Sequence, residues 1–331
     1  CGHIAEKFSR DLKLLPNARL YGAASRDLTK ARDFAGRVGF EKAYGSYEAM
    51  VNDPAVDIVY VATPHSHHYE HTLLSLEHKK AVLCEKAFAM NRRQAAEMIA
   101  SAQSNNTFLM EAFWTMFQPS YQKAMSIIES GELGSLKHVR SDFAFKGPYD
   151  PLKRLYNLSL GGGSLLDIGI YPVFAALTSL GKPEAIKSFV DFSPTGSEES
   201  ISMLFRYKNG TMATLSSGFA SFSPVQTEYW CEKGYLLLNP RWFVPTHITL
   251  VKNGEEPRII PSEHFSGTGY QYEAAHVMEC LDAGRIESSR MTWQISLDLM
   301  ETLDRIRRDA GIFFPEHDND AFLDVVEPEF N

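Results

Sequence analysis

Cysteine is scarce in this chain. The 331 residues hold four, Cys1, Cys84, Cys231 and Cys280, and no two are near neighbours. No CxxC pair exists to bind a metal or to cycle a disulfide. Four scattered thiols in so long a chain predict a reducing, cytoplasmic setting and no disulfide framework. Cys84 ends the apolar run Ala81-Val82-Leu83-Cys84 and reads as a small buried hydrophobe rather than a nucleophile. Positive charge is not in excess either. Lys and Arg number 33 against 41 Asp and Glu, a net charge of −8. This argues against nucleic acid or an anionic membrane as the main partner, since both want a basic face. No run of about 20 apolar residues is read, so no bilayer span is expected. Internal repeats and low-complexity stretches are lacking as well, and the sequence opens at Cys1 rather than at a methionine.

What is present is an ordinary globular composition, 44% hydrophobic and 22% charged. The length predicts two domains, with a full core and no need of staples. The first third alternates strand and helix. Residues 18–24, 56–62, 81–84 and 107–112 are short and apolar, and the β-branched density of 56–62 favours strand. Residues 27–38, 68–76 and 91–103 read as helices. Asp27 or Thr29 can cap the first, and Gly39 follows its end. Such alternation predicts a doubly wound parallel sheet covered on both faces. Ligands then sit at the carboxyl ends of strands. That singles out Gly2–Ala5, Ser25–Asp27, Thr63–His68 and Glu85–Lys86.

After about residue 113 the rhythm changes. Residues 119–130 read as a helix, and 137–145, 186–192, 227–230, 235–238 and 246–251 as strands. In 199–219 two alternating runs flank Asn209-Gly210, which favours a hairpin with a type I′ turn. Ile201, Met203 and Phe205 against Met212 and Thr214 would leave an apolar face to cover. Helices follow at 271–283 and 293–310, then a loosely packed acidic tail from Glu316 to Asn331. The expectation is a domain at 1–112 and an α+β domain at 113–331 with a mostly antiparallel, open-faced sheet.

Three places carry chemistry. Gly2-x-x-Ala5 matches the end of a glycine turn that lets backbone approach a pyrophosphate at a helix N-terminus. The next strand ends at Ser25-Arg26, hydroxyl and guanidinium donors that suit a 2′-phosphate, so NADP is expected over NAD. Asp27 could instead reach a ribose, and this leaves NAD open. His65, His67, His68 and His71 include an i, i+4 pair with metal-ligand spacing. No carboxylate or cysteine completes a set, and cofactor lining or helix capping is the favoured reading. Glu85-Lys86 leaves a buried strand where ligands bind. A lysine beside a positive nicotinamide would lose proton affinity and suit proton transfer, while an exposed salt bridge is the plain alternative. The third place is Gly161-Gly162-Gly163-Ser164-Leu165-Leu166-Asp167-Ile168-Gly169-Ile170-Tyr171. Glycines allow close backbone approach, Ser164 can cap a helix, and Asp167 and Tyr171 fall one turn apart. A carboxylate and a phenol there can orient a hydroxyl and relay its proton. A buried Tyr–Asp hydrogen bond is the alternative.

Together, Gly2-His3-Ile4-Ala5, Ser25-Arg26, Thr63-Pro64-x-x-x-His68, Glu85-Lys86 and the 161–171 run resemble the glucose–fructose oxidoreductase / inositol dehydrogenase / rhizopine catabolism family almost end to end. The resemblance implies an N-terminal Rossmann domain and a C-terminal α/β domain with an open-faced sheet. It implies an NAD(P)-dependent dehydrogenase acting on a secondary alcohol or carbonyl of a sugar, polyol or cyclic trans-diol. Tyr171 would be the acid/base, Lys86 would lower its pKa beside the nicotinamide, and Asp167 would orient the pair. The cofactor would touch Gly2, His3, Ile4, Ala5, Ser25, Arg26, Thr63, Pro64, His65, His68, Glu85 and Lys86. Trp114 and Trp242 fall at aromatic positions near the substrate. Two residues depart from the pattern: Ala87 replaces a proline after Lys86, and Met116 replaces an arginine after Trp-Thr.

The resemblance further implies a homodimer through the C-terminal sheet, and no metal. A non-catalytic nucleotide sensor is the rival reading, as is a family enzyme for another substrate class. Retention of Lys86, Asp167 and Tyr171 together argues against the sensor. A strand and the first glycine of the turn are expected ahead of Cys1, since an unpaired sheet interior would cost about 1–3 kcal/mol per orphaned group.

Overall fold

The computed structural model describes residues 1–262, 266–319 and 322. In chain order the first elements are α1 (His3–Leu12), β1 (Gly22–Ala24), α2 (Leu28–Val38), β2 (Lys42–Tyr44), α3 (Tyr47–Val51), β3 (Ile58–Val61), α4 (His68–Glu77), β4 (Ala81–Glu85), α5 (Arg92–Asn105) and β5 (Leu109–Ala112). There follow α6 (Pro119–Glu129), β6 (Leu136–Ala144), α7 (Ile170–Leu180), β7 (Ala185–Phe192), β8 (Glu198–Arg206), β9 (Met212–Gly218), β10 (Thr227–Cys231), β11 (Gly234–Leu238), β12 (Ile248–Lys252), β13 (Arg258–Ile260), α8 (Tyr270–Asp282) and α9 (Trp293–Ala310).

The chain packs as two compact units that are not two consecutive segments. The first takes Cys1–Ala89, Arg93–Phe117 and a late stretch ending at Ser296. The second takes Met90–Arg92, the chain from Gln118 to that late stretch, and the chain from Leu297. The expected division at 112/113 lies near the crossing at Phe117/Gln118, after a brief earlier excursion at Met90–Arg92, and α8 packs in the first unit. Hydrogen bonds explain the recruitment. The Asp11 carboxylate accepts from Thr268 N, Thr268 Oγ1 and Tyr270 N at 2.8–3.0 Å, capping α8 from α1. Trp293 Nε1 donates to the Leu109 carbonyl at 2.9 Å, and Leu109 N donates to Ile286 O at 3.1 Å.

All strands of the first unit run parallel, as expected, in two ladders: β1–β2 and β3–β4–β5. β4 is buried along its whole length, as a central strand covered on both faces should be. Cys84 is fully buried within it, a packing residue. Asp27 caps α2 through Thr29 N and Lys30 N, and Gly39 at φ +94° ends it. There a glycine avoids the left-handed penalty of a Cβ.

The second unit centres on an eight-stranded sheet, β13-β12-β11-β10-β6-β9-β8-β7, antiparallel except for the parallel β6–β9 pair. Inward residues alternate with outward ones, so one face carries the core. Ile201, Met203 and Phe205 point inward with Ala213 and Leu215, and Met212 and Thr214 point outward with Leu204. This corrects the expected pairing of the hairpin: direct cross-strand neighbours share a face, and the register couples Met203 to Leu215 and Leu204 to Thr214. The turn also differs. Asn209 is not in the left-handed region, Gly210 is at φ +81°, and Gly210 N donates to Tyr207 O at 2.9 Å. This is a type I turn followed by a left-handed glycine, the three-residue solution rather than type I′.

The stretch Leu158–Leu180 is long and apolar enough to cross a membrane by composition, an apolar run missed in the sequence reading. It is 94% buried inside the fold and is a core segment. The tail expectation divides in two. Asp320, Ala321 and Leu323–Asn331 lie outside the described residues. Within the described part, Glu316 and Asn319 are exposed as expected, but the Asp318 side chain is buried against Arg307, itself fully buried. Arg307 also donates to the Met90 carbonyl at 2.9 Å and to Asp304 at 3.3 Å, and its guanidinium stacks 4.6 Å from the Phe314 ring.

Candidate functional site

In the first unit the expected cofactor residues gather at strand carboxyl ends. Gly2 is the N-cap of α1, and no side chain caps the exposed N–H groups there. A Cβ at Gly2 would meet no protein atom within 4 Å. Open space over a helix N-terminus with free N–H groups fits a pyrophosphate. Cys1 Sγ donates to Ala24 O at 3.3 Å, so the α1 start lies beside the end of β1. His3 is exposed there, with Ile4 and Ala5 partly buried. Ser25 and Arg26 follow β1, Arg26 exposed. The Asp27 Oδ1 accepts from the α2 N–H groups of Thr29 and Lys30 at 2.9 and 3.3 Å.

The histidines divide by burial. His68 is 1% exposed, and its two ring nitrogens face the Ala87 carbonyl at 2.7 Å and the Thr63 carbonyl at 2.9 Å. Burial pushes its pKa down to about 4, against the two carbonyls. It joins the loop after β3 to the turn after β4. His71 Nδ1 lies 3.1 Å from Thr63 Oγ1, and its ring packs 4.3 Å from Tyr47. Burial holds it below the usual imidazole range, with His67 and Arg26 adding to the effect. His67 Nδ1 contacts Glu70 Oε1 at 2.7 Å. His65 packs edge-on to His68 at 5.7 Å, after Pro64.

Lys86 follows β4 directly, and its peptide to Ala87 is cis. Glu85 is 6% exposed. Its Oε2 accepts from Lys86 N at 3.2 Å, and its Oε1 accepts from Tyr60 Oη. Glu111 on β5 is 1% exposed, and its Oε1 accepts from Phe88 N at 3.2 Å. Burial pushes Glu111 up to about 7. Trp114 is 6% exposed and lies flat on Tyr270, centroids 4.0 Å apart and planes 7° apart.

In the second unit the glycine run admits the protein itself. A Cβ on Gly162 would meet the Asn157 backbone at 2.7 Å, and one on Gly163 (φ +132°) would lie 2.0 Å from Glu198 Oε2. Ser164 makes no capping bond, contrary to expectation, and its hydroxyl pairs with Ser217 Oγ at 3.0 Å. The cap is Glu198, whose Oε1 accepts from Leu165 N at 2.6 Å. Glu198 is 1% exposed, and burial pushes it up to about 7. Leu165–Gly169 is a π turn leading into α7. Pro172 supplies a reason, since it has no N–H for the Ile168 carbonyl and its ring crowds that carbonyl. Asp167 sits in this turn, and Arg154 Nη1 lies 2.8 Å from its Oδ1. Tyr171 opens α7, 6% exposed, among Phe143, Phe243 and Trp242 at 5.3–6.3 Å. Trp242 is fully buried and edge-on to Tyr171.

Arg154, Glu111 and Glu198 were missed in the sequence reading. The lone Glu111 in the apolar run Phe108-Leu109-Met110-Glu111-Ala112 was a usable signal. Arg154 had none, because its partner lies 13 residues on, beyond an irregular stretch of chain.

Comparison with known proteins identifies the family. The pattern described as "Oxidoreductase family, NAD-binding Rossmann fold" matches residues 1–113, and the GFO/IDH/MocA C-terminal domain matches residues 121–237. Trans-1,2-dihydrobenzene-1,2-diol dehydrogenase of Xenopus laevis is 36% identical over 324 residues, covering 95% of this chain and 97% of that protein. KijD10, a 3-ketoreductase from Actinomadura kijaniata solved with NADP and TDP-benzene, superposes with a TM-score of 0.85. It is 26% identical and covers 94% of this chain and 95% of its own. Aldose-aldose oxidoreductase from Caulobacter crescentus shares the fold at a TM-score of 0.83 and 24% identity, over 92% and 93% of the two chains. The chain belongs to the GFO/IDH/MocA family of NAD(P)-binding oxidoreductases.

Proposed function

We infer that the protein is an NADP-linked dehydrogenase/reductase that interconverts a secondary alcohol and its carbonyl on a sugar, polyol or cyclic trans-diol. The observation that carries this reading is the pair of anchored segments, one ending in Lys86 and the other presenting Tyr171. Names of relatives support the substrate class: one acts on a cyclic dihydrodiol, another is a 3-ketoreductase.

The nicotinamide, when bound, takes or returns the hydride. Residues 2–5 hold the pyrophosphate at the α1 N-terminus. Ser25 and Arg26 take the 2′-phosphate, and the engagement of Asp27 in its cap favours NADP over NAD. Thr63, Pro64 and His65 line the cofactor, and His68 positions them through its two carbonyl contacts. Glu85 orients Lys86, the residue that the family resemblance assigns to assisting the acid/base. Tyr171 exchanges the hydroxyl proton at its phenol oxygen. Asp167, held by Arg154, orients that exchange. Trp114 and Trp242 shape the substrate site from buried positions.

The outward face of the eight-stranded sheet exposes Phe189, Leu204, Met212, Trp230, Tyr235 and Ile259. So broad an apolar surface supports a homodimer through this sheet. The four free cysteines suit a reducing, cytoplasmic setting. Absorbance of NADPH across a panel of sugars, polyols and trans-diols tests the activity. Turnover of at least one class with NADP⁺ is expected, and none with any of them would overturn the reading. Elution as a dimer at micromolar concentration is expected in the same preparation.

A further inference from the structure

We propose that Glu111 is a positioning residue for the turn that carries Lys86. This rests on the reading of Lys86 given above. In the turn Lys86-Ala87-Phe88, beyond the end of the ladder, three backbone groups are met by three side chains from separate positions. Lys86 N–H donates to Glu85 Oε2 at 3.2 Å. The Ala87 carbonyl faces His68 Nδ1 at 2.7 Å. Phe88 N–H donates to Glu111 Oε1 at 3.2 Å. Glu111 comes from the neighbouring strand, where it pairs in register with Cys84. It therefore ties the far side of the turn to a strand that does not itself carry Lys86.

The placement is deliberate in physical terms. Ala87 and Phe88 are fully buried, so no water can replace a lost acceptor for Phe88 N–H. Glu111 Oε2 finds no hydrogen-bond partner among the described residues. Besides Phe88 N–H its carboxyl is supported by the Ser296 side chain, and a buried carboxyl with so few partners is costly, so an apolar residue would suit this strand better on packing grounds alone. What Glu111 provides is one acceptor, fixed by β5, aimed at the residue two beyond Lys86. Without it the turn can rotate about its remaining bonds and move the Lys86 ammonium. A displacement of about 1 Å at a reacting centre can cost up to about a hundredfold in rate.

The test compares Glu111→Gln, which keeps an acceptor, with Glu111→Met, which keeps volume and loses it. Glu111→Ala is carried alongside as a second acceptor-free variant that leaves space instead of filling it. Each is measured for kcat, KM and NADPH binding by fluorescence, with NADP⁺ and the best alcohol of the panel. Glu111→Met and Glu111→Ala should lose about tenfold in kcat with NADPH affinity within about threefold. Glu111→Gln should restore kcat to within about threefold of wild type, a rescue that a bulk structural role would not show. In the double variant Lys86→Met/Glu111→Met the second change should cost no further kcat, since its effect acts through Lys86. Wild-type kcat in both acceptor-free variants would overturn the inference, and so would equal impairment of the Gln and Met variants or full additivity in the double variant. If Lys86→Met alone keeps its turnover, the reading of Lys86 fails instead, whatever Glu111 does.

Discussion

Glu111 and Glu198 do the same job in the two units by different means. Each is a buried glutamate accepting one backbone N–H near a candidate catalytic side chain, Phe88 N beside Lys86 and Leu165 N ahead of Tyr171. Each is pushed up to about 7 by burial. Glu111 reaches its turn from an adjacent strand in register, and needs no special backbone. Glu198 must enter a helix N-terminus sideways, and that requires Gly163, where a Cβ would fall 2.0 Å from its Oε2. A strand end therefore anchors a side chain through sheet register, whereas a helix start does so by clearing space. The first arrangement tolerates change around it better than the second.

Several substitutions bear on that division. The largest effect is expected from Tyr171→Phe and Lys86→Met, each lowering kcat by about 10²–10⁴-fold in steady-state assays. NADPH affinity should hold in both, and equal loss of cofactor binding would erase the separation of roles. Arg26→Asp should weaken NADPH by about hundredfold in fluorescence titration while NADH changes little, since a charge-assisted contact becomes a repulsion. An equal response of the two cofactors would remove the NADP assignment. Gly163→Ala should cost about 2–4 kcal/mol in denaturant unfolding, by backbone strain and displacement of Glu198. Gly2→Ala, with open space at its Cβ, should cost under about 1 kcal/mol of stability yet weaken NADPH. A larger stability loss at Gly2 than at Gly163 would invert the comparison.

The comparison also predicts a pH dependence. Glu198 is raised from an ordinary 4.5 to about 7. Between those values the native state holds more protons than the unfolded one, so this group's contribution falls as pH rises and is fully lost above about 7. His68, lowered to about 4, acts oppositely, adding stability as pH rises from about 4 to 6.5. The difference between Glu198→Gln and wild type isolates the glutamate. It should shift toward the variant by about 1–3 kcal/mol from pH 5 to 8 in urea unfolding. A flat difference would mean that Glu198 is ionised in the fold.

Much of this was legible in the amino-acid pattern. The β-branched run 56–62, the buried run ending at Cys84 and the caps of α2 followed local rules that tertiary packing did not override. The same holds for the positions of Ser25, Arg26, Lys86 and Tyr171. Other features escaped for nameable reasons. Asn209-Gly210 signals a turn, but the pair sits one place later than a type I′ turn needs, with Asn209 and not Gly210 at the last central position. The three glycines promised close approach, and only coordinates show that the approaching groups are Asn157 and Glu198. The π turn ahead of Pro172 depends on a carbonyl four residues back. Arg154 and the packing of α8 in the first unit arise from contacts across the chain that no local pattern encodes.

That late recruitment has a consequence for how the molecule is made. The first unit starts at Cys1, but the Asp11 cap on α8 and the bonds from Leu109 to Ile286 and Trp293 draw on residues beyond 265. The contacts that close the first unit therefore become available only once residues up to about Trp293 have been made, which works against its completing before the second unit is synthesised. The second unit is interrupted in turn, since Arg307 ties Met90 to a residue more than 200 positions later. Each unit holds a piece of the chain that the other must first let pass, so closure of both is a late, long-range event with a high loop-closure cost.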